Sequence, residues 1–252
     1  MGKQARDRSR DLRKAQTAIA EQRGKRRPLV VGGITVIVVL LVAIVVAVVN
    51  AVGDRDPATS SGALVAPKSA TAAGALVLGQ AAAPVRVEVY LDYMCPFCGR
   101  FEQANSGELD KLMADGTVRL ELYPLSFLDR MSEGSRYSTR AANAVATVAD
   151  RAPEKAAAFN EALFDNQPQE GTEGLSNARI AELAQQAGVP QDVVDVLDDH
   201  IFEPWIAKST EAVFDTGISS TPTVKINGEV FKGDLYTVGA LTQAVIAAKG
   251  QQ

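Results

Sequence analysis

Cys95 and Cys98 are the only two cysteines in a chain of 252 residues. They stand three positions apart in the segment DYMCPFCGRFE, Asp92 to Glu102. A thiol pair this close can take up and pass on a disulfide, by thiolate attack through a mixed disulfide. If a helix begins here, Cys95 sits at its N-terminus, where unpaired N–H groups and the positive dipole end favour a thiolate. Pro96 then takes the first helical position, where its missing N–H costs nothing. Cys98 lies one turn deeper, placed to attack a disulfide formed on Cys95. Other chemistries fit less well. Zinc takes about four ligands, and the chain has no second cysteine pair and a single histidine, His200. Covalent haem attachment needs histidine where Gly99 stands. A structural disulfide closing so small a loop constrains the unfolded chain very little. Redox exchange is the reading that uses the pair best, and it requires no cofactor and no metal.

The flanking sequence supplies the elements such a pair needs. Residues 85–92 (VRVEVYLD) alternate, with Val85, Val87, Val89 and Leu91 on one face and Arg86, Glu88 and Tyr90 on the other, the period of a strand. Helix-forming residues follow Cys98, and residues 117–123 (TVRLELY) alternate again. Strand–helix–strand favours a parallel crossover. Apolar residues spaced by three and four predict helices over 135–150, 153–167, 176–188 and 191–199, with Ser176 and Gly188 as start and stop of the third. A further helix is expected over about 205–216. Residues 221–233 (TPTVKINGEVFKG) read as a hairpin turning at Asn227-Gly228, and 235–249 as a closing helix. The order is βαβ, a block of helices, then αββα.

Charge and hydropathy place this body. Residues 1–28 carry ten Lys or Arg and three acids, which leaves sixteen basic and twenty-seven acidic residues beyond them, a net −11. An acidic body argues against nucleic acid as its partner. Residues 29–49 (LVVGGITVIVVLLVAIVVAVV) hold no charge and reach roughly 31 Å as a helix, about one bilayer core. Lys25, Arg26 and Arg27 before the run place the 1–28 tail in the cytoplasm and the remainder outside. A cleaved signal peptide is the competing reading, with Val49-Asn50-Ala51 a passable site, although its apolar region is usually about 7–15 residues. Residues 50–75, small and broken by proline and glycine, read as a flexible linker. Two cysteines exported to an oxidising compartment become a pair that exchanges disulfides there.

DYMCPFCGRFE together with TPTVKINGEVFKG resembles the thioredoxin-fold thiol–disulfide oxidoreductases of the DsbA type, in their membrane-tethered, extracytoplasmic form. The resemblance covers residues 76–252 and implies an α/β fold with a helical insertion at about 132–204. It implies Cys95 and Cys98 as the catalytic pair, Pro96 and Phe97 as residues tuning its redox behaviour, and Pro222 as a cis proline facing the cysteines. The backbone of Thr221 would then be free to pair with an extended substrate segment. Taken alone, STPT is also an ordinary turn before a strand. Two departures stand out. The most oxidising members carry histidine where this chain has Phe97, so the Cys95 pKa is expected between ~8.5 and ~3.5, and the potential between about −270 and about −120 mV. The family often has a buried carboxylate six residues before the first cysteine, a proton relay for the second; here that residue is Val89, with Glu88 on the opposite face. Asp92 matches the family pattern and implies a cap or a pKa shift, though a strand-end turn explains it equally well. Tyr93, Met94 and Phe97 are expected to form an apolar rim around the thiol. Arg100 either raises the local positive potential or belongs to a solvated helix face.

The implied function is donation of the Cys95–Cys98 disulfide to reduced secreted or cell-wall proteins. Re-oxidation would come from a quinone-linked membrane partner of the DsbB or VKOR kind. The alternatives are a reductase or isomerase fed by a membrane electron donor, and a tethered binding domain or chaperone whose disulfide is structural.

Overall fold

The structure, a computed structural model, describes residues 64–250. The expected membrane segment at 29–49 and the basic tail lie outside these residues. Among the described residues no helix is long and apolar enough to cross a membrane.

Strand β1 (Leu76–Gly79) precedes β2 (Val85–Leu91), helix α1 (Pro96–Ala114) and β3 (Val118–Pro124). A helical block follows: α2 (Tyr137–Arg151), α3 (Ala156–Asp165), α4 (Asn177–Gln186) and the short α5 (Gln191–Val194). Then come α6 (Glu203–Asp215), β4 (Thr223–Ile226), β5 (Glu229–Val230) and α7 (Ala240–Lys249). The five strands form one sheet in the order β1-β3-β2-β4-β5. β2 and β3 pair in parallel across α1, as the crossover predicts, and the remaining neighbours are antiparallel. This is a thioredoxin-like α/β fold with the helical block inserted between β3 and α6.

The alternation in β2 and β3 held a misleading message. Val85, Val87 and Val89 are fully buried, yet Glu88 and Tyr90 on the other face are also under 10% exposed. Helices cover both faces of the central strands, so polarity there marks satisfied polar groups rather than solvent. The Tyr90 hydroxyl donates to Glu88 at 2.9 Å, Arg86 pairs with Glu88 at 3.1 Å, and the Tyr90 ring stacks on Tyr123 at 4.2 Å.

Other boundaries also moved. Part of the expected linker is folded: Ala75 is fully buried, Val77 N–H donates to the Ser69 carbonyl, and Gly74 lies against Ser209. Its small residues are there for close packing rather than for freedom. The closing helix starts at Ala240, not near 235. The Asp234 carboxylate accepts from Tyr236 N–H and the Thr237 hydroxyl, and this turn occupies the segment instead. The 191–199 helix stops at Val194. The third helix follows the sequence closely: Ser176 caps it by accepting from Arg179 N–H at 3.2 Å, and Gly188 closes it at φ 78°. Asn227 and Gly228 both take positive φ, as a two-residue hairpin turn of this kind requires. α2 is buried on nearly every side, its alanines letting neighbours approach closely, and forms the centre of the helical block.

Candidate active site

Sheet register decides what meets at the head of α1. β4 runs antiparallel to β2 with Tyr90 opposite Thr223. Two residues before Thr223 the chain therefore passes the loop that leaves β2. The Thr221-Pro222 peptide there is cis, and the Thr221 carbonyl accepts from the Cys95 thiol at 3.4 Å. Residues 126 positions apart are brought together by one strand pairing.

Cys95 is the N-cap residue of α1 and Pro96 begins the helix. Both cysteines are free thiols, Cys95 5% exposed and Cys98 fully buried. Burial pushes the Cys98 thiol well above its ordinary range, and its neighbour Cys95 adds to the rise. Cys95 moves the other way, to about 6. The largest cause is the hydrogen bond with the Cys98 side chain, which outweighs desolvation; the Thr221 side chain and the backbone of Cys98 and Phe97 assist. The value falls inside the range expected from Phe97. The cause differs from the expectation, because the second thiol contributes more than the helix-end amides. The pair thus divides its labour: Cys95 is a thiolate at neutral pH and Cys98 holds its proton.

Asp92 does not cap α1; no side chain does. It is fully buried and accepts from Met94 N–H at 2.8 Å, Leu128 N–H at 2.9 Å and the Ser138 hydroxyl at 2.6 Å. It joins the cysteine loop to the helical block. Burial raises it to about 6 against these hydrogen bonds, and its backbone hydrogen-bonds Cys98.

The apolar rim is not the one expected. Tyr93 and Met94 are buried beneath the loop, and of the three only Phe97 is open, at 53%. The Tyr93 hydroxyl donates to Asn160 at 2.9 Å. Phe97 is joined by Tyr236, ring centroids 6.2 Å apart. The Arg100 guanidinium lies 4.4 Å from the Tyr236 ring centre and 5.6 Å from that of Phe97. Arg100, exposed on α1 as a solvated helix position is, is therefore also part of an aromatic–cationic surface beside Cys95. Asn105 supports it by donating to the Phe101 and Leu235 carbonyls, each at 2.8 Å.

Gln167, from the helical block, had no signal in the sequence. Its amide donates to the carbonyls of Tyr93 at 3.1 Å and Cys95 at 2.9 Å. Gly99 makes room for it: a Cβ at that position would overlap the Gln167 side-chain oxygen. Glu102, four residues beyond Cys98 on α1, is buried, and burial raises its carboxyl to about 7.

A family model described as Thioredoxin matches residues 71–244. The chain is 30% identical over 161 residues to disulfide bond formation protein D of Bacillus subtilis, covering 63% of this chain and 70% of that protein. It is 33% identical over 124 residues to the serine/threonine-protein kinase PknE of Mycobacterium tuberculosis, 48% of this chain and 22% of the kinase. The chain therefore spans about a fifth of that relative's length. The solved reduced form of the disulfide bond oxidoreductase DsbG from Mycobacterium tuberculosis is similar at TM-score 0.61 and 30% identity, over 70% of this chain and 88% of that one. This chain belongs to the thioredoxin-fold family of DsbA-type thiol–disulfide oxidoreductases.

Proposed function

We propose that the Cys95–Cys98 disulfide is donated to reduced proteins outside the cytoplasm, by a domain that residues 29–49 hold at the membrane. The observation that carries the direction is the split between the two thiols. Cys95 at about 6 stabilises the dithiol form at neutral pH, which makes the disulfide the better oxidant. In the reaction, a client thiolate attacks the Cys95 sulfur and the Cys95–Cys98 bond breaks. The electron pair leaves on Cys98, which takes up a proton. The client's second thiolate then attacks its own half of the mixed disulfide and expels Cys95, a good leaving group because of its low pKa. Phe97, Tyr236 and Arg100 offer an extended client an apolar and cationic landing beside the sulfur, and the Thr221 backbone offers it an edge to pair with. The reduced pair returns to the disulfide through a quinone-linked membrane partner, to which the anchor raises its effective concentration.

The test is transfer to a reduced client with several cysteines. Oxidised full-length protein, held in detergent micelles, should remove two client thiols per Cys95–Cys98 pair. A Cys95→Ala variant should remove none. A wild-type protein that leaves the client thiols untouched, or that instead reduces the client's disulfides when supplied as the dithiol, would refute the donor reading.

A further inference from the structure

Arg100 stands on α1 three residues past Phe97, a neighbour on the helix surface. Its guanidinium lies 4.4 Å from the centre of the Tyr236 ring and 5.6 Å from that of Phe97. The two rings hold the planar group without using its N–H donors. Among the described residues those donors make no hydrogen bond and no ion pair. Asp234 is near enough to feel the charge, but both its oxygens are taken, Oδ1 by Tyr236 N–H and Oδ2 by the Thr237 hydroxyl. The Arg100 side chain is exposed, as are Phe97 and Tyr236 beside it. A stacked guanidinium with its fork of donors open to solvent matches the geometry of a carboxylate. We propose that Arg100 makes this protein select clients with an aspartate or glutamate about two to four residues from the reacting cysteine.

The spacing follows from chain geometry. Arg100 lies five residues past Cys95, about 7.5 Å along the helix axis. An extended client advances about 3.3 Å per residue. A client whose cysteine meets Cys95, and whose backbone pairs with the Thr221 edge, therefore brings a side chain two to four residues away to the guanidinium. Charge decides the sign. Beyond residue 28 the chain has sixteen basic and twenty-seven acidic residues, so the body as a whole repels acidic segments. A local cation beside the sulfur then decides where such a segment docks and in which register. A client lysine or arginine meets a cation of its own sign, already stacked on both aromatic rings. An apolar client residue can still use Phe97, which is 53% exposed. The favoured segment thus carries an acid and an apolar residue near its cysteine.

Client selection by Arg100 rests on the disulfide-donor reading, and the two fail differently. Oxidised full-length protein in detergent micelles is mixed with excess peptide, capped at both ends and carrying two cysteines. The peptides differ only at positions two to four residues from the cysteines, which hold glutamate, glutamine or lysine. In each turnover the two peptide thiols become a disulfide and two electrons pass to the Cys95–Cys98 bond. One proton stays on Cys98 and the other goes to solvent. Rates are read by acid quench, alkylation and mass spectrometry. Each is divided by the rate of the same peptide with a small aromatic disulfide, which corrects for the peptide's own thiol reactivity. In wild type the glutamate peptide should react about three to ten times faster than the glutamine peptide, and the lysine peptide more slowly than either. A ratio between peptides on one protein cancels any general loss of activity in a variant. It should fall towards unity in Arg100→Gln, invert in Arg100→Glu and persist in part in Arg100→Lys. A merely structural role would slow all three peptides alike. Wild type alone gives a second reading: the glutamate advantage should shrink as salt rises from about 0.02 to about 0.5 M. Equal corrected rates in wild type, an advantage untouched by salt, or one that survives Arg100→Gln overturns the proposal. A wild type that oxidises none of the peptides overturns the donor reading itself, and client selection with it.

Discussion

In the reduced protein Cys95 should titrate with a midpoint near 6, and this has a consequence for stability that can be worked through. Its ordinary value is 9.0. A group whose folded pKa is depressed contributes stability that is complete above the unfolded value and is lost as pH falls through the folded one. From the two values the contribution is near zero at pH 5, about 1.4 kcal/mol at pH 7 and about 3 kcal/mol at pH 8.5. Burial of the thiol at 5% exposure leaves little solvent to screen it. Because only the dithiol form gains, the same 1.4 kcal/mol makes the disulfide more oxidising by about 30 mV at pH 7. The assay is urea denaturation of the reduced wild type and of reduced Cys95→Ala at these three pH values. Asp92 and Glu102 have raised folded values, so their contribution falls with rising pH, but both proteins carry them and the difference cancels them. The stability difference should widen from pH 5 to pH 8.5 by about 3 kcal/mol, and thiolate absorbance should appear near pH 6 in wild type only. A flat difference, or thiolate appearing near pH 9, would refute the assignment of Cys95 as the charged sulfur.

Cys98→Ala removes the largest cause of that low value, so the Cys95 midpoint should rise well above 6, measured by thiolate absorbance. Thr221→Ala should raise it less. Gly99→Ala should cost about 1–3 kcal/mol, because the new methyl displaces the Gln167 amide from two carbonyls. The same change in a Gln167→Ala background should cost little, a non-additivity that a denaturation cycle reads directly. Asp92→Asn keeps one acceptor but turns an amide N–H toward a backbone donor, and should cost about 1–3 kcal/mol at neutral pH. If its stability equals that of wild type, Asp92 does not hold the cysteine loop to the helical block.

Much of this protein is legible along the chain because the relevant physics is local. Cysteine spacing, the proline at the first helical position, the Ser176 cap and the Asn227-Gly228 turn each depend on a few neighbouring residues, and the structure has them where the sequence puts them. The parallel crossover follows from connection length and handedness. What the chain alone misread depended on who covers whom. Tyr93 and Met94 look like surface beside a reactive thiol, but helices inserted later in the sequence bury them. Gln167 reaches Cys95 from 72 positions away, through a side chain that nothing nearby requires. Glu102 stands on α1 as an acidic residue that could face solvent, yet its burial, and so its proton affinity, comes from α3 and the sheet packing around it. Local sequence determined where the sulfurs sit on the helix. Desolvation and distant hydrogen-bond partners, which exist only once the layers close, decided which sulfur carries the charge.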